Sequence, residues 1–181
     1  MAFYKETEDS IFRELNDQFR FATHIVRMRN MPKFNNNPTM QDLMIACWVT
    51  NLVRLNTFFD EKDYPLNSIK RFIDLAFQSE NITNEEYKQQ KMSLKNIYES
   101  DDFEQFRKVR NSVIAHWSRK NLPNHTPFSP DQIASEVVKI FEKCGGRKVS
   151  MKNIFSDVSN DWKMLLSDIG KMFRSHPEIK I

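Results

Sequence analysis

Apolar residues recur every three or four positions in one segment of this chain after another, and that spacing restricts the fold more than any other feature. In the segment Asp101–Trp117, which contains no Gly or Pro, Phe103, Phe106, Val113 and Trp117 fall on one face of a helix. The whole chain has only three Gly, and most of its Pro residues stand between the periodic segments. No segment shows a convincing strand pattern. The sequence therefore predicts an all-α fold, an up-down bundle of about six or seven helices.

Capping residues and breaks in the apolar pattern predict where the helices begin and end. The expected helices are Ser10–Met28; one from Pro38, capped by Asn37, that carries Met40 through Phe59; Leu66–Gln78; Asn84–Tyr98, with a capping box of Thr83 and Glu86; Asp101–Trp117, capped by Asp101 or Asp102; one from Pro130, capped by Ser129, that ends at Gly145–Gly146; and Ser150–Phe173.

The same spacing predicts which side chains face the core. The helix from Pro38 is apolar over a wide arc, so we expect it at the centre of the bundle. The residues expected to face inward on the other helices are Phe12, Leu15, Phe19, Ala22 and Val26; Ile69, Phe72, Ile73 and Phe77; Tyr87, Met92 or Leu94, and Ile97; Ile133, Val137, Ile140, Phe141 and Cys144; and Ile154, Phe155, Val158, Trp162, Leu165, Ile169 and Phe173.

Length and composition place the chain in a broad class. Its 181 residues suit a single domain, 1–181, with enough apolar material for a core. No run is long and apolar enough to span a membrane, and the first residues are too polar for a signal peptide. Cys47 and Cys144 are isolated among apolar neighbours, which predicts two buried thiols and a cytoplasmic location. The net charge of +3 permits an acidic partner such as RNA without requiring one.

Several kinds of site lack the residues they need. There is no HExxH, no Glu-x-x-His pair, no CxxC, no Gly-rich phosphate loop and no GxSxG. The four histidines, at positions 24, 116, 125 and 176, have no metal-ligand spacing. We therefore expect neither a metal site nor a cofactor.

Arg110 breaks the apolar pattern of the segment 101–117. At about 100° per residue it falls between Phe106 and Ile114, inside the apolar arc, while His116 falls at the arc's edge beside Val109. A charge in such an arc is costly unless it has a partner or a function. The sequence leaves two interpretations open: a functional Arg110 and His116, or an arginine paired with an acidic group inside the bundle and a surface histidine.

The run Arg110-Asn111-Ser112-Val113-Ile114-Ala115-His116 resembles the R-x(4–6)-H signature of HEPN domains. These are small all-α proteins of prokaryotic toxins and of abortive-infection and CRISPR-linked defence systems. The form RN…AH within an amphipathic helix is close to that of the abortive-infection type. A second match, Arg119 to His125, contains Pro123 and falls in a predicted loop. We therefore take the first match as the candidate site.

The resemblance implies a metal-independent endoribonuclease of a toxin or phage-defence system. In that chemistry the 2′-hydroxyl of RNA is the nucleophile, His116 moves the proton, and Arg110 binds the phosphate oxygens. The two residues are about 9 Å apart along a helix and roughly 120° apart around it. The family's answer to that separation is a homodimer in which two such helices face one cleft. The alternative is a non-catalytic HEPN-like dimerisation or RNA-binding module, and in either case an antitoxin or defence-system protein is a possible partner.

Neighbouring residues have both a functional and an ordinary interpretation. Asn111 would orient the phosphate or hold His116 in one tautomer, or it is an exposed helix residue. Trp117 would stack on a base or belong to the core. A basic rim that would hold the RNA backbone, or simply a solvated helix face, is made of Arg107, Lys108, Arg119 and Lys120.

Overall fold

The computed structural model describes residues 2–30, 38–115, 130–161 and 163. Seven helices and no strand occur among those residues, so the predicted all-α class is confirmed. The helices are α1 (Ala2–Arg29), α2 (Pro38–Thr57), α3 (Ile69–Gln78), α4 (Asn84–Tyr98), α5 (Asp101–Ala115), α6 (Pro130–Lys143) and α7 (151–161). Residues 1–149 form one compact unit, with α1–α6, and residues 150–181 form a second, with α7. That 1–181 is a single domain stays a prediction.

Helix α6 lies at the centre of the first unit, since it contacts each of α1 to α5. Its apolar residues explain the position: Ile133, Val137, Ile140 and Phe141 are all buried, and Cys144 just after the helix is buried too. Helix α2, which we expected at the centre, has its main contacts with α1, α5 and α6. The position of α6 shows that a short helix with one strongly apolar face can be enclosed as fully as a long one.

Helix α1 begins at Ala2, well before the predicted start at Ser10. The additional turns are held by tertiary contacts: the Tyr4 hydroxyl donates to the Cys144 carbonyl at 2.9 Å, and its ring stacks on Phe72 at 5.0 Å. Ser10 therefore lies inside the helix, where its hydroxyl donates to Asn67 Oδ1 instead of capping. The predicted cap was wrong because packing extended the helix past a good capping residue.

Other helix ends test the capping predictions directly. Helix α4 has the predicted bounds and the predicted capping box: Thr83 Oγ1 accepts from the Glu86 N–H at 3.2 Å, and Glu86 Oε2 accepts from the Thr83 N–H at 2.7 Å. Helix α3 begins after Ser68, later than predicted. Helix α5 is capped by Ser100, whose Oγ accepts from the Phe103 N–H at 3.2 Å, and not by Asp101 or Asp102.

The two proline-initiated helices begin where the sequence predicts. Helices α2 and α6 start at Pro38 and Pro130, and α6 ends before Gly145, which has a positive φ of 85°. The capping residues Asn37 and Ser129 lie outside the described residues.

Most of the predicted inward residues are buried, with several exceptions. The exposed ones are Val26 at 53%, Phe77 at 39%, Met92 at 56% and Phe155 at 49%. Phe77 instead stacks on Tyr87 at 4.6 Å, at the surface. Leu94 is buried, which settles the alternative left open with Met92, and Ile11 is buried where Phe12 was predicted.

The second unit is described only in its first part. Ile154 and Val158 of α7 are buried, as predicted. The rest of the predicted helix to Phe173 includes Trp162, which lies outside the described residues, as does everything after position 163.

The two cysteines differ in burial. Cys144 is buried, and burial raises the pKa of its thiol to about 12. Cys47 is only partly buried, so the prediction of two buried thiols was half right.

Candidate functional site

Helix α5 is fixed in the bundle by the apolar side chains that precede Arg110. Phe103, Phe106 and Val109 are each at most 4% exposed. The aromatic rings of Phe103 and Phe106 pack with the ring of Phe59, whose centroid is 4.8 Å from that of Phe103. This packing determines how α5 is rotated about its own axis. It therefore also determines where the side chain of Arg110 can lie.

Arg110 is half-buried where α5 contacts α2. Its Nη1 donates a hydrogen bond to Oδ1 of Asn56, near the end of α2. Its Nε is buried and has no hydrogen-bond partner among the described residues. No carboxylate of the described residues forms an ion pair with it. The interpretation of Arg110 as the cation of a buried ion pair is therefore not supported in this part of the chain.

Two other arginines show what an ordinary structural arginine looks like here. Arg54 Nη1 lies 3.1 Å from Glu14 Oε1 and 2.9 Å from Asp17 Oδ2. Arg147 contacts the carboxylates of Glu8 and Asp9. Each of these positive charges is matched by two negative ones.

Arg110 differs because a neutral amide holds it. An amide oxygen orients the guanidinium without neutralising it, so the positive charge is left for another anion. A partly buried guanidinium binds phosphate or carboxylate oxygens more strongly than an exposed one, since less water competes for its N–H groups. The arrangement can therefore bind an oxyanion.

Asn56 is the residue of this site that the sequence analysis missed. It stands four residues after the buried Leu52, so it occupies an apolar position of α2, just as Arg110 occupies one of α5. An amide at such a position is a signal that could have been found. What the sequence could not show is that the two polar positions face each other.

The residues beside Arg110 on α5 are exposed. Arg107, Lys108 and Asn111 all lie on the solvent side. Lys108 Nζ is 2.6 Å from Glu104 Oε1, and this hydrogen bond lowers the pKa of the Glu104 carboxyl. The charge of Lys108 is thus already matched locally, which weakens its predicted part in a basic rim. The exposure of Asn111 agrees with both of its interpretations.

Part of the predicted site lies outside the described residues. His116, Trp117, Arg119 and Lys120 are all in this group, and the side chains of Val113 and Ile114 are not described either. The structure therefore brings Arg110 together with Asn56, but it does not place His116. The role of His116 stays a prediction.

A separate cavity of about 320 Å³ opens between α4, α5 and α6. Among the described residues, its lining includes the carboxylates of Asp102 and Glu136 and no basic side chain. An anion such as phosphate would be repelled there. The cavity is therefore unsuited to the anion that Arg110 could hold.

Among the described residues, no helix is long and apolar enough to cross a membrane. No group of three or more His, Cys, Asp or Glu side chains among them is arranged to hold a metal ion. Comparison of the chain with protein-family models, curated proteins and solved structures finds no match.

Proposed function

We propose that the chain is a HEPN-like, homodimeric, metal-independent endoribonuclease of a toxin or phage-defence system. The observation that carries the proposal is the state of Arg110. It sits in an apolar arc, half-buried, held by an amide and without a carboxylate partner among the described residues. A sequence keeps such a charge at a cost, and binding a phosphate would offset that cost.

In the proposed reaction, Arg110 binds the non-bridging oxygens of the scissile phosphate. His116 accepts the proton of the 2′-hydroxyl, whose oxygen attacks the phosphorus, and the 5′-oxygen leaves and takes up a proton from a protonated His116 of the dimer. The products are a 2′,3′-cyclic phosphate and a 5′-hydroxyl. Arginine stays protonated throughout, so its part is to stabilise the negative charge that grows on the phosphate.

The described part of the apolar arc is not available for the proposed dimer contact. Phe103, Phe106 and Val109 are already buried within a single chain, so they have no surface left to offer a second copy. The contact would instead involve the exposed side of α5, where Arg107 and Asn111 lie.

An RNA-binding module without catalysis is the second candidate. The pair of Arg110 and Asn56 supplies hydrogen-bond donors for phosphate, but neither side chain can accept a proton at neutral pH. The described residues therefore support phosphate binding, whereas they do not by themselves support proton transfer.

Cleavage of end-labelled total RNA in EDTA tests the proposal. We expect the wild type to produce cyclic-phosphate ends, and both Arg110→Ala and His116→Ala to lose activity by a hundredfold or more, roughly the contribution of one acid–base or oxyanion-stabilising group. Arg13→Ala, an exposed position on α1, and His125→Ala, from the second match to the spacing, serve as controls.

The outcomes of this experiment distinguish the ribonuclease from the non-catalytic RNA-binding module. Equal cleavage by all variants points to a contaminating nuclease and contradicts the proposal. Binding of RNA without cleavage, lost only in Arg110→Ala, favours the non-catalytic module. Circular dichroism of each variant confirms that the helices are retained.

A further inference from the structure

Asn56 has more to offer a ligand than its contact with Arg110. Because Arg110 Nη1 can only donate, the side of the amide that faces it must be Oδ1. This orientation leaves Nδ2 with two N–H donors beside the guanidinium. Among the described residues those donors have no acceptor.

The two side chains therefore present donors only. The guanidinium contributes the N–H groups that Asn56 does not occupy, including Nη2, and the amide contributes Nδ2. Its one acceptor, Oδ1, is already used within the pair. A ligand that fits must accept several hydrogen bonds at once and should be negatively charged, which describes a phosphodiester oxygen pair.

We infer that Asn56 and Arg110 together form the phosphate-binding subsite, with Asn56 both orienting the guanidinium and donating Nδ2 to the same phosphate. It is essential to this arrangement that the side chain of Asn56 is uncharged. An aspartate of the same shape would accept the same hydrogen bond from Arg110, but it would neutralise the guanidinium and repel the phosphate. The inference rests on the proposed function for its choice of RNA as the source of phosphate.

The test measures binding without cleavage. The probe is a fluorescein-labelled oligonucleotide with 2′-O-methyl groups throughout, which has no 2′-hydroxyl nucleophile. Its affinity for the full chain is measured by fluorescence anisotropy over a range of salt concentrations. The variants are Asn56→Asp and Asn56→Leu, and Asn96→Asp is the matched control, because it changes the net charge equally at an exposed position on α4.

We expect Asn56→Asp to weaken binding by at least about tenfold, the value of one hydrogen bond to a charged group. The slope of log affinity against log salt should become shallower by about 0.7, as for one lost phosphate contact on a single strand. Asn96→Asp should stay within about twofold of the wild type, since salt strongly screens a charge at an exposed position. Asn56→Leu should lose less than Asn56→Asp, because it removes the amide without adding a charge.

Four results would overturn the inference. One is an equal loss of affinity in Asn56→Asp and Asn96→Asp, and another is a wild type that does not bind the oligonucleotide. If Asn56→Asp does not fold, a folded Asn56→Leu with unchanged affinity and salt slope overturns it instead. Binding that depends on Asn56 without cleavage of ordinary RNA refutes the ribonuclease and leaves the subsite standing. Cleavage of ordinary RNA that Asn56→Asp does not reduce refutes the subsite and leaves the ribonuclease standing.

Discussion

Replacing Arg110 with methionine separates a functional arginine from a structural one. Methionine has about the same helix propensity and an unbranched side chain that can follow the path of the arginine stem. The replacement removes the guanidinium and leaves most of the packing. The stability change therefore reports what the charge contributes to the fold.

The structure allows two opposing contributions to the change in the free energy of unfolding to be compared. Losing the hydrogen bond to Asn56 costs about 1.5–3 kcal/mol for a bond from a charged donor. Removing the buried Nε, which has no hydrogen-bond partner in the described part of the chain, gains about 1–3 kcal/mol. Both terms are reduced by the partial exposure of Arg110, and they oppose each other. We expect the free energy of unfolding to change by no more than about 1 kcal/mol, equivalent to a shift in Tm of about 2–4 °C.

Urea denaturation followed by far-UV circular dichroism measures this change. Arg54→Met is the matched control, because it leaves the half-buried Glu14 without the cation that contacts it. Burial already raises the pKa of Glu14, and the positive charge of Arg54 counteracts that effect. Arg54→Met should therefore be the more destabilising of the two replacements. A loss of about 3 kcal/mol or more in Arg110→Met would refute the reasoning, since that is the cost of breaking a buried ion pair.

Three further predictions follow from packing and burial. Phe106→Ala should lower the free energy of unfolding by about 3–5 kcal/mol in urea denaturation, because the ring is fully buried. Gly146→Ala should destabilise by about 1–3 kcal/mol in the same assay, because a Cβ there would lie 2.6 Å from Phe141 Cζ in the core. Cys144, whose burial raises its pKa to about 12, should not react with a thiol reagent at neutral pH until the protein unfolds, whereas the partly exposed Cys47 should react in the native protein.

The raised pKa of Cys144 also predicts how stability depends on alkaline pH. The unfolded thiol ionises near its model value of 9.0, while the folded thiol keeps its proton up to about 12. The folded state thus binds more protons in that window, so the free energy of unfolding should fall as pH rises through it. Cys144→Ala should show a smaller fall. If both thiols of the native protein react with the thiol reagent at neutral pH, both predictions for Cys144 are contradicted.

Local signals predicted several helix ends because their chemistry lies within a few residues. The capping box of Thr83 and Glu86 needs only one turn of backbone, and α4 has the predicted bounds. Pro38 and Pro130 begin their helices as expected. The start of α1 was missed because the contact between Tyr4 and Cys144 that extends it joins residues far apart in sequence. A pattern of residues within a short segment of sequence cannot reveal such a contact.

The candidate site was likewise only partly predictable from the sequence. The position of Arg110 in an apolar arc was readable from helical periodicity alone, and so was its spacing to His116. Its partner was not, because the choice between a carboxylate and the Asn56 amide depends on how α2 and α5 pack. The exposed positions of Arg107, Lys108 and Asn111 agree with the pattern, while the ion pair of Lys108 with Glu104 depends on the spacing of one helical turn.

By itself, the sequence determined the helical class, the placement of several caps and the presence of a costly charge at Arg110. These features depend on periodicity and on contacts within a turn or two. Only the tertiary structure decided that α6 is central, that α1 extends to Ala2, and that Arg110 meets the Asn56 amide and no acid among the described residues. Those features depend on how helices far apart in sequence pack together, and the energy of that packing is shared among residues that no local pattern connects.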